Sequence, residues 1–294
     1  MGAKEEFMTR VNDLYRFEAL QGHLGWDQET IMPSKGAKAR GEMLAWLAGQ
    51  RHNKLIDEGM GSLISELEGA EHDDYFGANL KEMRRKYDEA VKLPTEFVSE
   101  FTKARSEALI AWQKARSDND FAHFSPHLQK LIDLTHEKIN YLGCENTPYD
   151  VLLDEYEVGM TVDDYDPLFS GLKSRLVPLL AKIMDSDVEI PRLPESMTFP
   201  ADAQAEFCSK VSNAMGFDFD AGRMDQSTHP FCAGLWPDDT RFTTRFDEKD
   251  PFSCLYAVMH ESGHGVYEQG LPREHSFSPV GAAVSLGVHE SQSR

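Results

Sequence analysis

The 294-residue chain predicts a mainly α-helical protein with a small β-sheet set beside one metal-motif helix. Three observations carry that prediction. Over roughly the first 145 residues, apolar side chains recur at helical spacing, and prolines fall between the runs. A strand-like alternation, Thr240 to Phe246, then precedes the pattern His260-Glu261-Ser262-Gly263-His264. That pattern has its own helical frame, with Leu255, Val258 and Met259 before it and Val266 and Tyr267 after it.

Taken in order, Phe7, Val11, Leu14, Phe17, Ala19 and Leu20 define a first helix. Leu44, Leu47, Leu55 and Ile56 define a second. Phe97, Phe101, Ala104, Ala108 and Ile110 define another, as do Leu128, Leu131, Ile132, Ile139 and Leu142. Pro33, Pro94, Pro126 and Pro148 are expected at boundaries, because proline breaks the helical hydrogen-bond ladder. The acidic run from Glu66 to Asp74 reads as solvated helix faces and turns, and Trp26 as packing. Further helices are expected from Asp164 to Met184 and from Ala201 to Met215, joined by a linker at Ile190–Pro194. Phe217 to Met224 is a weaker strand partner for Thr240–Phe246, which is expected to lie at a sheet edge and hold extended peptide. Two regions result, helical over 1–200 and strand- and motif-bearing over 201–294, both parts of one domain.

Two histidines four apart on a helix face the same way, about 6 Å apart along the axis. Their imidazoles can close on one metal ion, with the intervening Glu261 beside its open position. The composition makes about 0.04 such patterns expected by chance. Pro251-Phe252-Ser253 starts this helix, while Gly263 and Gly265 weaken it, which points to a backbone or substrate coming close. The third ligand decides the sub-class. A metzincin would need a glycine at position 267 and a histidine at 270, and the chain has Tyr267 and Gly270. Glu268 shares the face but stands too far along, and His275 lies in a connection. Glu290, 26 residues past His264 and in a helix expected over Val280–Ser293, is the better candidate to complete a His₂Glu set, with an exposed helix carboxylate the alternative. His289 diverges from it by about 100° and suits a supporting or substrate-facing place. Asp239 and Arg241 are expected to brace the site or pair with each other, and the proline of His229-Pro230-Phe231 sets that histidine in an extended or turn conformation.

The segments Asp225 to Phe231, Asp239-Thr240-Arg241-Phe242-Thr243, His260 to His264 and His289-Glu290-Ser291-Gln292 resemble the HPF, DxRxT, HExxH and HES-Q motifs of the carboxypeptidase Taq family. Trp26-Asp27 through Met32-Pro33 to Arg40 fits too, as does Tyr149 through Asp154-Glu155-Tyr156-Glu157 to Met160-Thr161. The resemblance implies a zincin- or neurolysin-like helical peptidase fold. It implies a metal held by His260, His264 and Glu290, Glu261 as general base, and His229 lining the site and stabilising the oxyanion. Arg241, Asp239 and His289 join His229 as residues expected near the substrate. The cofactor is Zn²⁺, with Co²⁺ or another divalent ion an option, acting through metal-assisted hydrolysis. Release of single C-terminal residues with broad specificity, poor release of terminal proline, and a homodimer rest on the resemblance alone. The family's later arginine-bearing and Q-D-x-H-W motifs, which it assigns to the substrate's carboxylate, are absent, so the chain resembles the N-terminal part of the enzyme. An HExxH oligopeptidase or endopeptidase, and a fragment acting only by binding, stay open as alternatives.

Composition narrows the setting. A net charge of −20 argues against nucleic acid, whose phosphates need basic patches. No apolar run approaches a membrane span, and the first residues lack a signal peptide's apolar stretch. Cys144, Cys208, Cys232 and Cys254 are widely spaced and read as free thiols, hence a cytoplasmic location.

Overall fold

The computed structural model describes residues 2–189, 193–194 and 196–294. Among the described residues nine α-helices precede the sheet: α1 (Ala3–Glu29), α2 (Ala37–Leu55), α3 (Glu58–Glu68), α4 (Asp74–Ala90), α5 (Thr95–Asp118), α6 (Phe121–Leu142), α7 (Pro148–Leu153), α8 (Val162–Met184) and α9 (Ala201–Met215). Strands β1 (Gly222–Gln226), β2 (Cys232–Trp236) and β3 (Asp239–Thr244) follow, then α10 (Pro251–Gln269) and α11 (Leu286–Ser291). The linker expected at Ile190–Pro194 falls mostly outside the described residues.

The apolar spacing produces three cores. Phe7, Val11 and Leu14 of α1 meet Met60 and Ile64 of α3 and Met83 of α4, with Phe277 and Ala282 from the far end of the chain packed on the same cluster. Phe97 and Ala104 of α5 meet Leu134 of α6. Cys208, Phe217, Phe242, Cys254 and Val258 join α9, β3 and α10. The acidic run resolves into the end of α3, a turn and a cap: the Asp73 carboxylate accepts from the Phe76 amide at 2.9 Å and starts α4. Pro33, Pro94 and Pro148 do stand at helix starts, whereas Pro126 lies inside α6. It sits in the helix's second turn, where only one ladder bond is lost.

The sheet has the order β1-β3-β2, with β1 parallel and β2 antiparallel to β3. The alternating segment therefore forms the central strand and not an edge, and it ends at Thr244. Thr240, Phe242 and Thr244 are wholly enclosed on one face, and Thr243 is enclosed on the other. Its expected partner supplies β1 from Gly222 onward, while Phe217 leaves the strand so that its ring packs edge-on to Phe242 at 4.9 Å. The strand β2, Cys-Ala-Gly-Leu-Trp, carries no polar alternation and a bulge at Gly234/Trp236, so periodicity does not reveal it.

The helix expected over Val280–Ser293 is shorter. Pro279–Gly281 forms a 3-10 turn, and α11 begins only after Ser285, whose hydroxyl accepts from the Val288 amide at 3.0 Å. The helix α10 fits its expected span. Asp250 caps it, Pro251 occupies its first position, and the buried Ser262 hydroxyl donates to Ser212 of α9 at 2.8 Å. Phe242→Ala, at the junction of β3 and the third core, is expected to cost about 3–5 kcal/mol, measured by urea unfolding; a loss under about 1 kcal/mol would mean that β3 is not the spine of that core.

Candidate metal centre

His260 and His264 lie one turn apart on α10, with ring centroids 4.8 Å apart and ring planes nearly perpendicular. From α11 the Glu290 carboxylate spans them, one oxygen 3.4 Å from His260 Nε2 and the other 3.4 Å from His264 Nε2. The three ligand atoms fall within 4.8 Å of one another. Two imidazole nitrogens and a carboxylate oxygen on one side of a space, open elsewhere, suit a divalent ion that keeps a free position. His264 Nδ1 donates to the His289 carbonyl at 3.1 Å, which leaves Nε2 as the ligating nitrogen. Burial, with help from the nearby His289, lowers the His264 pKa and favours the neutral ring a metal requires.

Delivery of Glu290 depends on α11 coming unusually close to α10. A Cβ at Gly263 would stand 2.3 Å from the Gln292 carbonyl oxygen and 2.7 Å from the Ser293 Cα, so the glycine is the seat for this second backbone. The close approach expected from Gly263 is thus made by the ligand-bearing segment itself, while Gly265 meets the Phe217 ring. At its other end α11 is tied to the Asp154–Thr161 stretch. The Glu157 carboxylate accepts from the Ser285 hydroxyl at 2.7 Å and the Gly287 amide at 3.1 Å, and the Leu286 amide donates to the Tyr156 carbonyl at 3.1 Å.

His289 supports the site from behind. Its ring stacks on His264 with centroids 4.5 Å apart and hydrogen-bonds through Nε2 to the Glu268 carboxylate at 2.7 Å. Glu268 is therefore outside the ligand set and holds the partner of a ligand. Space for it comes from Gly234 of β2, where a Cβ would stand 2.1 Å from a Glu268 oxygen. Glu261 is 6% exposed, immediately beside the ligands. Burial and then the Glu290 charge push its carboxyl up to about 7, against a smaller opposing effect of His289.

The remaining expected residues lie elsewhere in this frame. Arg241 forms a bidentate pair with Asp239, at 2.7 and 2.9 Å, and lies over the buried Trp26 ring, 4.6 Å from its centroid. The two residues pair with each other and tie α1 to the sheet. Asp27 beside Trp26 pairs with Arg40, so this stretch secures the end of α1. His229 is exposed, not packed in a core, and its Nδ1 donates to the Pro230 carbonyl at 2.7 Å. Among the described residues no hydrogen bond or ring contact joins it to the histidine–glutamate cluster. Sequence reasoning did not single out roles for Glu157, Gly234 or Glu268. Glu157 lay within a matched motif, but its contact is with a segment over a hundred residues away.

Two helix-borne imidazoles and a carboxylate from a second helix, with a buried glutamate beside them, form a cluster that could hold a metal ion in the manner of a metallopeptidase centre. The chain belongs to the carboxypeptidase Taq (M32) metallopeptidase family, whose model matches residues 6–294. It is 39% identical over 286 residues to thermostable carboxypeptidase 1 of Thermus thermophilus, covering 92% of this chain and 55% of that one. It is 33% identical over 294 residues to carboxypeptidase 1 of Bacillus subtilis, covering 99% of this chain and 58% of that one. The BsuCP crystal structure superposes with a TM-score of 0.96 at 32% identity, covering all of this chain and 59% of that one. The chain thus spans somewhat more than half the length of the relatives it matches.

Gly263→Ala is expected to displace α11 and weaken zinc binding by roughly tenfold or more, read by competition with a chromophoric chelator. Unchanged affinity in a folded variant would show that the close approach does not place Glu290. Glu268→Ala should weaken zinc binding by roughly tenfold, with Glu268→Gln, which keeps a hydrogen-bonding oxygen, recovering most of the loss.

Proposed function

We propose that this chain carries the metal and proton-transfer machinery of a zinc-dependent carboxypeptidase, with His260, His264 and Glu290 holding the ion and Glu261 as general base. The observation that carries the reading is the convergence of three ligand atoms within 4.8 Å beside a buried glutamate. The carboxypeptidase names of its relatives support removal of C-terminal residues over internal cleavage. A divalent ion held there supplies Lewis acidity to the scissile carbonyl and makes water acidic enough to react near neutrality.

The chain's own residues do the rest. The Glu261 carboxylate takes a proton from the attacking water and delivers it to the nitrogen of the departing residue. Its enclosure favours this exchange, because a carboxyl with raised proton affinity both accepts and returns a proton near neutral pH. Glu268 holds His289, and the His289 carbonyl holds the His264 ring. Asp239 and Arg241 act as a brace on Trp26, and His229 is assigned to the substrate side, stabilising the oxyanion. The expected edge-strand role passes to β2, which borders the sheet and lines a cavity of about 330 Å³ together with Glu268. Broad specificity with slow release of terminal proline belongs to the same reading. Four unbridged thiols, including Cys208 and Cys254 only 3.4 Å apart, support a reducing, cytoplasmic setting.

The share of the relatives' length that this chain spans favours a second reading, in which it binds the ion but turns over no peptide unaided. Metal content and hydrolysis of one peptide as free acid and as carboxyl amide separate these. One bound ion with cleavage of the free acid alone is the carboxypeptidase result. One bound ion without cleavage is the second reading, and equal cleavage of both forms would show an endopeptidase. In an active preparation, Glu261→Gln should retain the ion and lose turnover by about 10²–10⁴-fold; parental turnover in that variant would remove Glu261 from the mechanism.

A further inference from the structure

The helix α8 stands out because it is amphipathic and yet covers nothing. Leu168, Leu172, Leu176, Leu179 and Ile183 follow at intervals of four, four, three and four residues, so they form one stripe along the helix, with Phe169 beside it. Their exposures run from 45% at Leu172 to 58% at Phe169, and no residue of the helix is buried. Its principal neighbour is the short α7. An isolated helix of this length is marginal in water, and Pro167 and Pro178 inside it lower its own preference further. Soluble proteins rarely leave so long a continuous apolar strip open.

The match to known structures says what the strip is for. The BsuCP structure reproduces this entire chain at a TM-score of 0.96, so a helix in the place of α8 exists there, yet the match accounts for only 59% of that protein. The rest of such a chain has to pack somewhere on the shared part, and an uncovered stripe of leucines is a surface ready to receive it.

We propose that the Leu168–Ile183 stripe of α8 is a docking face for a polypeptide segment equivalent to the roughly two-fifths of the relatives that this chain does not match. The stripe accepts that segment by apolar burial along the full helix, and α8 becomes firmly helical only when covered. A phospholipid surface fits less well, since the chain carries a net charge of −20 and α8 opens with Asp163, Asp164 and Asp166. The proposal rests on family membership and on α8, not on the peptidase reading, and its test uses no activity measurement.

The test is a chimaera in which this chain replaces the matching three-fifths of the Bacillus subtilis relative, compared with the 294-residue chain alone. Hydrogen exchange across 162–184 is expected to be slowed on the order of a hundredfold or more in the chimaera. The double substitution Leu172→Asp/Leu176→Asp should lower the chimaera's Tm by roughly 5 °C or more and move that of the 294-residue chain by no more than about 1 °C. Equal exchange in both proteins, or an equal Tm change in both, overturns the proposal. Protection of α8 in the 294-residue chain that rises with its concentration would assign the stripe to a second copy. Co-sedimentation with phosphatidylcholine–phosphatidylserine vesicles that the double substitution abolishes would assign it to a membrane. Should the chimaera fail to fold, the aligned pair of substitutions in the intact Bacillus subtilis protein decides, and an unchanged Tm there overturns the proposal.

Discussion

The centre depends on the contact between the backbone at the end of α11, at Gln292 and Ser293, and Gly263 of α10, which has no side chain to refuse it. Gly263 lies between the two histidines, on the face turned toward Gln292 and Ser293. Were that face to carry a methyl group, the chain after Glu290 would have to move outward, and the carboxylate would leave the imidazoles. The other restraints on α11 operate only within this approach. Glu157 fixes its start, the His264–His289 hydrogen bond fixes its middle, and Glu268 fixes the His289 ring. A position that weakens α10 as a helix thus makes α10 useful as half of a site.

The same logic extends into the sheet. The strand β3 is central because β1 and β2 take both its edges, and Thr240, Phe242 and Thr244 on one face give α10 a rigid floor. The serine pair Ser212–Ser262 and the third core fix α10 against α9 and that floor. On the opposite face of the sheet region, Arg241 and Arg223 lie over Trp26, so the long α1 is held to the strands by cation–π contact in addition to apolar packing. The metal helix therefore stands on two layers, and α11 is the part that comes to it.

Much of this was legible in the sequence, for identifiable reasons. The helices α1, α2, α5 and α6 came through because leucine, phenylalanine and alanine at intervals of three and four reflect burial of one face, and the start of α10 followed from Pro251; α3, α4 and α7 were not read as separate helices. His260, His264 and Glu290 were legible because helical geometry and ligand chemistry restrict which residues can meet. The edge strand β2 was not, since Cys-Ala-Gly-Leu-Trp is apolar or small throughout and shows no alternation. The extent of α11 was overestimated because apolar and small residues from 280 to 285 resemble a helix, whereas the chain there turns at Pro279 and restarts at Ser285. Glu157, Glu268 and Gly234 were illegible for a different reason. Each matters through one long-range contact, and one contact leaves no periodic trace.

The tie between Glu157 and the start of α11 joins residues 128 and 130 positions apart. A helix of six residues has almost no stability of its own. Its formation must therefore follow its docking onto Glu157 from the middle of the chain and onto α10, and loop-closure entropy makes such distant pairings among the slow ones. His260 and His264 can face one another as soon as α10 is helical, but the third donor arrives only with the finished tertiary structure. An ion held by all three residues would be captured at the end of folding and not at the birth of the motif helix.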